Sequence, residues 1–145
     1  MKKKIIRYGS QNIQKDDITS VINVLKSDFL TTGPVTKNFE KKLKIKLNSK
    51  YISSCSSGTA ALHLSMLAIN LKKGDKVILP AINFIASINI CHNLGAKIYL
   101  ADVDKYSGQM TPKTLKECIK VNKLKKIKAV VTMYNAGFPT NFHEF

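Results

Sequence analysis

The sequence predicts an α/β protein whose parallel sheet is covered by helices on both faces. Three observations lead there. From Lys50 onward, short β-prone or apolar runs alternate with stretches of helix length, and that alternation builds parallel sheets through helical crossovers. Turn-forming residues fall at the junctions, at Gly58, Gly74, Pro80, Gly95 and Pro112. The chain has 145 residues, of which 44% are hydrophobic, enough for one core and too few for a second full domain.

Two helices precede any strand. Ile18, Val21, Ile22 and Leu25 recur at spacings of three and four, which predicts a helix over 15–28. The run Leu30-Thr31-Thr32-Gly33-Pro34 breaks it, and Val35, Phe39 and Leu43 restore helical periodicity up to Leu47. Tyr51 to Cys55 reads as a short strand, Ser56-Ser57-Gly58 as a turn, and Thr59 to Ile69 as a strong helix former. Lys76 to Leu79 reads as a buried strand ending at Pro80, and Phe84 to Leu94 as a helix closed by Gly95. A third strand follows over Ala96 to Ala101. Thr111 is then an N-cap with proline in the first helical position, Lys113 to Val121 a helix and Ile127 to Met133 a fourth strand.

Composition excludes several classes of function. Mean hydropathy is -0.08, and the longest uncharged stretches carry Ser, Gly, Pro, Asn and His, so no membrane-spanning segment is expected. The start Met1-Lys2-Lys3-Lys4-Ile5-Ile6-Arg7 lacks the apolar core of a signal peptide. Cys55, Cys91 and Cys118 form an odd set without ligand spacing, which predicts reduced thiols, a cytoplasmic setting and no metal site. The net charge of +15 raises the alternative of a module that binds nucleic acid or another phosphate polymer. Against nucleic acid stands the make-up of that charge: Arg7 is the sole arginine, and the lysines cluster where solvated helix faces are expected, as in Lys37 to Lys46.

Ligands of α/β sheets gather at the carboxyl ends of the strands. Ser56-Ser57-Gly58-Thr59 stands between a predicted strand and helix, where unpaired amides, an approachable glycine and two hydroxyls could hold a phosphate. On local sequence alone the favoured reading is a plain N-cap turn whose hydroxyls satisfy the helix's own amides. Neither a Walker lysine nor a G-x-G-x-x-G run is present. Phe84, after the next strand, could stack on a flat ring or belong to the core. Asp102 and Asp104 could pair as carboxylates or form a solvated turn ending at Gly108. His63, His92 and His143 show no ligand spacing, and no Ser/His/Asp set assembles.

Three signatures in order carry a resemblance that covers nearly the whole chain. They are Asp28-Phe29-Leu30-Thr31-Thr32-Gly33-Pro34 before a Phe39-Glu40 helix; Ser56-Ser57-Gly58-Thr59-Ala60-Ala61-Leu62-His63-Leu64; and Gly74-Asp75-Lys76-Val77-Ile78-Leu79-Pro80 leading through Phe84-Ile85-Ala86-Ser87 to Gly95-Ala96-Lys97. The chain resembles the amino-terminal part of the DegT/DnrJ/EryC1/StrS nucleotide-sugar aminotransferases. Ser10 to Ile13 and Lys26 to Leu30 are similar to the branch that makes 4-amino-4,6-dideoxy UDP-sugars for pseudaminic-type nonulosonic acids, the UDP-4-amino-4,6-dideoxy-N-acetyl-altrosamine transaminases.

The resemblance implies the large domain of the pyridoxal 5′-phosphate-dependent transferase fold type I, incomplete over 50–145, behind an N-terminal helical segment over 1–49. It implies that Ser57, Gly58 and Thr59 hold the cofactor phosphate, that Phe84 stacks on the pyridine ring, and that Thr31, Thr32 and Gly33 border the sugar-nucleotide site. It further implies a homodimer and the transfer of an amino group, from glutamate, to the 4-keto carbon of a nucleotide-linked 6-deoxysugar in surface-polysaccharide or nonulosonic acid synthesis. The family's Schiff-base lysine and the aspartate that pairs with the pyridinium nitrogen correspond to positions beyond Phe145. No catalytic residue is therefore expected in this chain, which is expected to be inactive alone. Tyr134 to Pro139 matches the family's segment after the fourth strand, with no role assigned to its residues.

Overall fold

The structure, a computed structural model, describes Gly9, residues 11–139 and residues 142–145. The basic start Met1 to Arg7 and Ser10, which opens one of the motifs above, lie outside the described residues. The chain divides into two compact units, Met1–Ser54 and Cys55–Phe145.

The first unit holds α1 (Lys15–Leu25) and α2 (Pro34–Lys46). Helix α1 ends three residues before the predicted Asp28. The Ser27 amide and hydroxyl both bond the Val24 carbonyl, at 3.0 and 2.8 Å, and so close the last turn. Pro34 occupies the first turn of α2, where its missing N–H costs nothing. Neither helix buries a residue: the predicted stripe of Ile18, Val21, Ile22 and Leu25 is continuous but exposed.

The strand expected at Tyr51 to Cys55 does not form. Its β-prone residues have no neighbouring strand among the described residues, and β-propensity expresses itself only through such pairing. Side chains take the backbone groups instead. The Ser49 hydroxyl donates to the Tyr51 carbonyl at 2.8 Å, and the Ser54 amide donates to the Glu40 carboxylate at 2.8 Å.

In the second unit, strands and helices alternate: α3 (Gly58–Ala68), β1 (Lys76–Pro80), α4 (Ile85–Asn93), β2 (Lys97–Ala101), α5 (Pro112–Val121) and β3 (Ile127–Val130). All strand pairs are parallel, in the order β2-β1-β3. The crossover from β1 to β2 moves one way across the sheet, and that from β2 to β3 moves back past β1. Right-handed crossovers then require α4 and α5 on opposite faces. The core obeys this. Val77 and Leu79 pack with Met66, Ala86, Ile90 and Cys91 of α3 and α4, whereas Ile78 packs with Ala101, Met110, Cys118 and Leu124 on the α5 side.

Central strand β1 is buried on both faces, with Val77, Ile78 and Leu79 all at 0% exposure; each such side chain contributes about 1.5–3 kcal/mol relative to an exposed one. Gly95 ends α4 at φ 76°, and a Cβ there would lie 3.1 Å from the Lys73 side chain, so the turn admits glycine alone without strain. Strand β3 stops at Val130 rather than Met133, although the Val131 amide still reaches the Ile78 carbonyl at 2.9 Å.

Candidate cofactor-binding site

β1 and β2 are neighbours whose following helices go to opposite faces, the arrangement in which α/β sheets take ligands outside their carboxyl ends. Three loops meet there. The Asn135 side-chain amide, after β3, donates to the Gly108 carbonyl, after β2, at 2.9 Å. A Cβ on Gly108 would come within 3.0 Å of that amide and 4.0 Å of Ile82, which follows β1. Buried Gln109 ties the same rim together through a 2.8 Å bond from its side-chain amide to the Phe138 carbonyl. Asn135 and Gln109 carry no sequence signal, since polar loop residues look alike until their partners are known.

Helix α3 opens with Ser57 in extended conformation as its N-cap. The Ser57 hydroxyl accepts from the Ala60 amide at 3.1 Å, and its carbonyl accepts from Ala61 at 3.0 Å. These bonds leave the amides of Gly58 and Thr59 without a protein acceptor among the described residues. Nothing lies within 4 Å of the position a Gly58 Cβ would take, and Ser57, Gly58 and Thr59 are all exposed. The Ser57 cap therefore leaves two amides of the same helix end available. Two outward donors, the positive end of an eleven-residue helix and the Thr59 hydroxyl suit a phosphate group.

Helices α3 and α4 pack together through Leu62, Met66, Ala86, Ile90 and Cys91, so the segment that leads into α4 belongs to the same layer as α3. Phe84 is the N-cap residue of α4 and is 63% exposed, which removes it from the core and leaves its ring available for stacking. Beside it, the side-chain nitrogen of Asn83 is buried with no hydrogen-bond partner among the described residues. Sequence reasoning passed over Asn83.

Asp102 and Asp104 do not pair as catalytic carboxylates. Asp102 accepts from the Val103 amide at 2.8 Å. Asp104 accepts from the Ser107 amide at 2.8 Å, the Ser107 hydroxyl at 3.0 Å and the Tyr106 amide at 3.1 Å. The Ser107 bonds hold the Asp104 carboxyl below the usual carboxylate range, as a turn staple. His63 and His92 are exposed on α3 and α4, and no group of three potential metal ligands occurs among the described residues.

In the first unit, Thr31, Thr32 and Gly33 form the loop between α1 and α2. Thr32 is held at φ 49°, and a Cβ on Gly33 would stand 2.7 Å from the Phe29 Cβ, so the loop is tightly folded. It carries two exposed hydroxyls, on Thr31 and Thr32.

The profile of the DegT/DnrJ/EryC1/StrS aminotransferase family matches residues 11–145. The chain belongs to this family. It is 34% identical over 132 residues to the uncharacterized protein MJ1066 of Methanocaldococcus jannaschii, covering 91% of this chain and 33% of that protein. Among solved structures, Spr1654 of Streptococcus pneumoniae, assigned as a sugar aminotransferase and solved in a PLP-form, superposes with a TM-score of 0.83 at 28% identity, over 95% of this chain and 34% of that one. GDP-4-keto-6-deoxy-D-mannose-3-dehydratase of E. coli, solved with bound hydrated PLP, is equally similar, with a TM-score of 0.83 and 28% identity over 93% of this chain and 35% of that one.

This member of the DegT/DnrJ/EryC1/StrS family thus spans about a third of the length of the relatives it matches. The expected fold class, the opening part of a fold type I large domain with a helix-covered parallel sheet, holds. Among the described residues, no helix of this family member is long and apolar enough to cross a membrane.

Proposed function

We propose that this chain is the amino-terminal portion of a pyridoxal 5′-phosphate-dependent aminotransferase that transfers an amino group from an amino acid, with glutamate expected, to a nucleotide-linked 4-keto-6-deoxysugar. The observation that carries this reading is the pair of amides at Gly58 and Thr59, without acceptors among the described residues, at the exposed start of α3. Those amides and the Thr59 hydroxyl bind the cofactor phosphate, while Ser57 fixes the helix end that presents them. Phe84 covers one face of the ring and shields it from water. The cofactor, when bound, supplies the electron sink for amine chemistry.

Thr31, Thr32 and Gly33 border the sugar-nucleotide site, and the segment over 1–49 leads into a cofactor-binding domain over 50–145. The exposed apolar stripe of α1 supports a homodimer in the complete enzyme. Its cysteines lie free, in keeping with work in the cytoplasm. The pathway expected is the synthesis of surface polysaccharide or nonulosonic acid, with the UDP-sugar branch favoured by Lys26 to Leu30. None of the chain's lysines matches the family's Schiff-base position, so the chain binds cofactor without turnover.

A second reading, sugar dehydration on the same scaffold, is favoured by the equal similarity to the dehydratase. The two share the cofactor cradle and differ in product.

Pyridoxamine 5′-phosphate tests the cradle without lysine chemistry. Calorimetric binding is expected to weaken at least tenfold in Thr59→Ala. Phe84→Ala is expected to weaken it likewise, while leaving inorganic phosphate unaffected. Absence of binding, or indifference to both substitutions, overturns the reading. With pyridoxal phosphate, a visible band removed by a single lysine substitution would overturn the absence of a Schiff-base lysine.

A further inference from the structure

The basic run on α2 has no part in the cofactor cradle, and its lysines are not scattered. Lys37, Lys41 and Lys44 of α2 line one groove of about 360 Å³ with Lys50, Tyr51 and Ile52 of the segment that follows, all within the first unit. The one acidic side chain in this groove, Glu40, is engaged by the amide and hydroxyl of Ser54. No ion pair neutralises Lys37, Lys41, Lys44 or Lys50 among the described residues.

Four ammonium groups around one groove repel each other. Helix electrostatics accounts for one of them, since Lys44 lies in the last turn of α2, where the macrodipole favours a cation. Lys37 stands in the first turns and Lys41 short of the last one, where it does not. Lys37 to Lys44 is a rise of about 10 Å along the helix, at ~1.5 Å per residue. A row of that length outreaches a single phosphate group and matches several linked ones. At the groove's end Tyr51 is 78% exposed, with the Lys50 ammonium 5.4 Å from its ring centroid, an aromatic platform beside a cation.

We propose that this groove is a second anion site, which takes a short linear phosphate chain along Lys37, Lys41 and Lys44, with Lys50 and Tyr51 closing one end. The shared ligand chemistry is two or more linked phosphates, supplied either as inorganic oligophosphate or as the tail of a nucleotide. In the nucleotide case the base lies against Tyr51. The site does not depend on the cofactor reading, because its residues lie in a different unit from Gly58 and Phe84.

The test uses the full chain without pyridoxal phosphate and with Gly58→Val, which closes the Gly58 and Thr59 amides to phosphate, and takes tripolyphosphate, orthophosphate, ADP and a single-stranded oligonucleotide as probes in titration calorimetry. The triple variant Lys37→Gln/Lys41→Gln/Lys44→Gln is compared with Lys113→Gln/Lys116→Gln/Lys120→Gln on α5, which removes the same charge elsewhere. Tripolyphosphate is expected to bind at least tenfold more tightly than orthophosphate. The α2 variant is expected to lose at least tenfold in that affinity, and the α5 variant less than twofold, with circular dichroism unchanged in both. Tyr51→Leu distinguishes the sources: a loss for ADP alone marks a nucleotide, and equal affinities throughout mark inorganic oligophosphate. Equal losses in the two triple variants, orthophosphate binding as tightly as tripolyphosphate, or an oligonucleotide outcompeting both at physiological salt would overturn the proposal.

Discussion

The carboxylate of Glu40 accepts both the amide and the hydroxyl of Ser54, at 2.8 and 2.7 Å. One oxygen thus ties α2 to the segment that does not become a strand. Both bonds favour the ionised carboxyl, so folding holds the Glu40 pKa below its ordinary value of about 4.5. A depressed carboxylate contributes stability that is fully present above the unfolded chain's value and is lost as pH falls through the folded one. Glu40→Gln is therefore expected to lower the thermal midpoint at pH 7, with the gap to the unsubstituted chain closing below about pH 4.5. Melting curves from pH 3 to 8 check this, and a constant gap would mean that charge plays no part.

At Gly58, stability and ligand binding should separate. Its φ is not left-handed and a Cβ would meet nothing within 4 Å, so the fold does not need glycine there. Gly58→Val is expected to change unfolding free energy by no more than about 0.5 kcal/mol, the range of surface substitutions. Affinity for inorganic phosphate is expected to fall at least tenfold, because the side chain fills the approach to the amides. Urea unfolding and calorimetry on the same sample give both numbers.

What could be read in advance followed the range of the interactions involved. Val77 to Leu79, the Thr111-Pro112 start and the Gly95 stop depend on residues within a turn or two of themselves, and each appears where expected. The strand at Tyr51 to Cys55 depended on a neighbour that apolar pattern cannot supply, and Ser54 instead bonds a residue fourteen positions away. At the site, the free amides of Gly58 and Thr59 and the exposed ring of Phe84 were legible because a helix start leaves its first amides unpaired and a loop residue keeps its side chain outward. Asn135 was not, since its partner Gly108 lies 27 residues earlier.

The start of α5 offers a quantitative check on local structure. The Thr111 hydroxyl accepts from the Thr114 amide at 3.2 Å, and the Thr114 hydroxyl accepts from the Thr111 amide at 3.0 Å. This reciprocal pair satisfies two donors at once. Thr111→Ala is expected to cost about 1 kcal/mol, and Thr111→Ser to recover most of it. Denaturant midpoints measure the difference. Equal costs for the two variants would show that the methyl group matters and the cap does not.

Thiol reactivity should report the packing of the sheet. Cys55 is exposed, whereas Cys91 is 0% exposed against β1 and Cys118 lies on the buried face of α5 with its thiol 3.6 Å from the Leu100 carbonyl. Burial pushes both buried thiols up; at Cys118 the Asn122 amide partly offsets this. A raised pKa leaves less thiolate at any given pH, and the thiolate is the nucleophile. Iodoacetamide at pH 8 is therefore expected to modify Cys55 at least tenfold faster than Cys91 or Cys118, with the two buried sites gaining rate only at more alkaline pH. Peptide mass spectrometry over time resolves the three. Urea should abolish the difference, because it removes the contacts of Cys91 with Val77 and Leu79 that keep the thiol from water. Rapid labelling of Cys91 in native buffer would mean that the α3–α4 layer opens on its own.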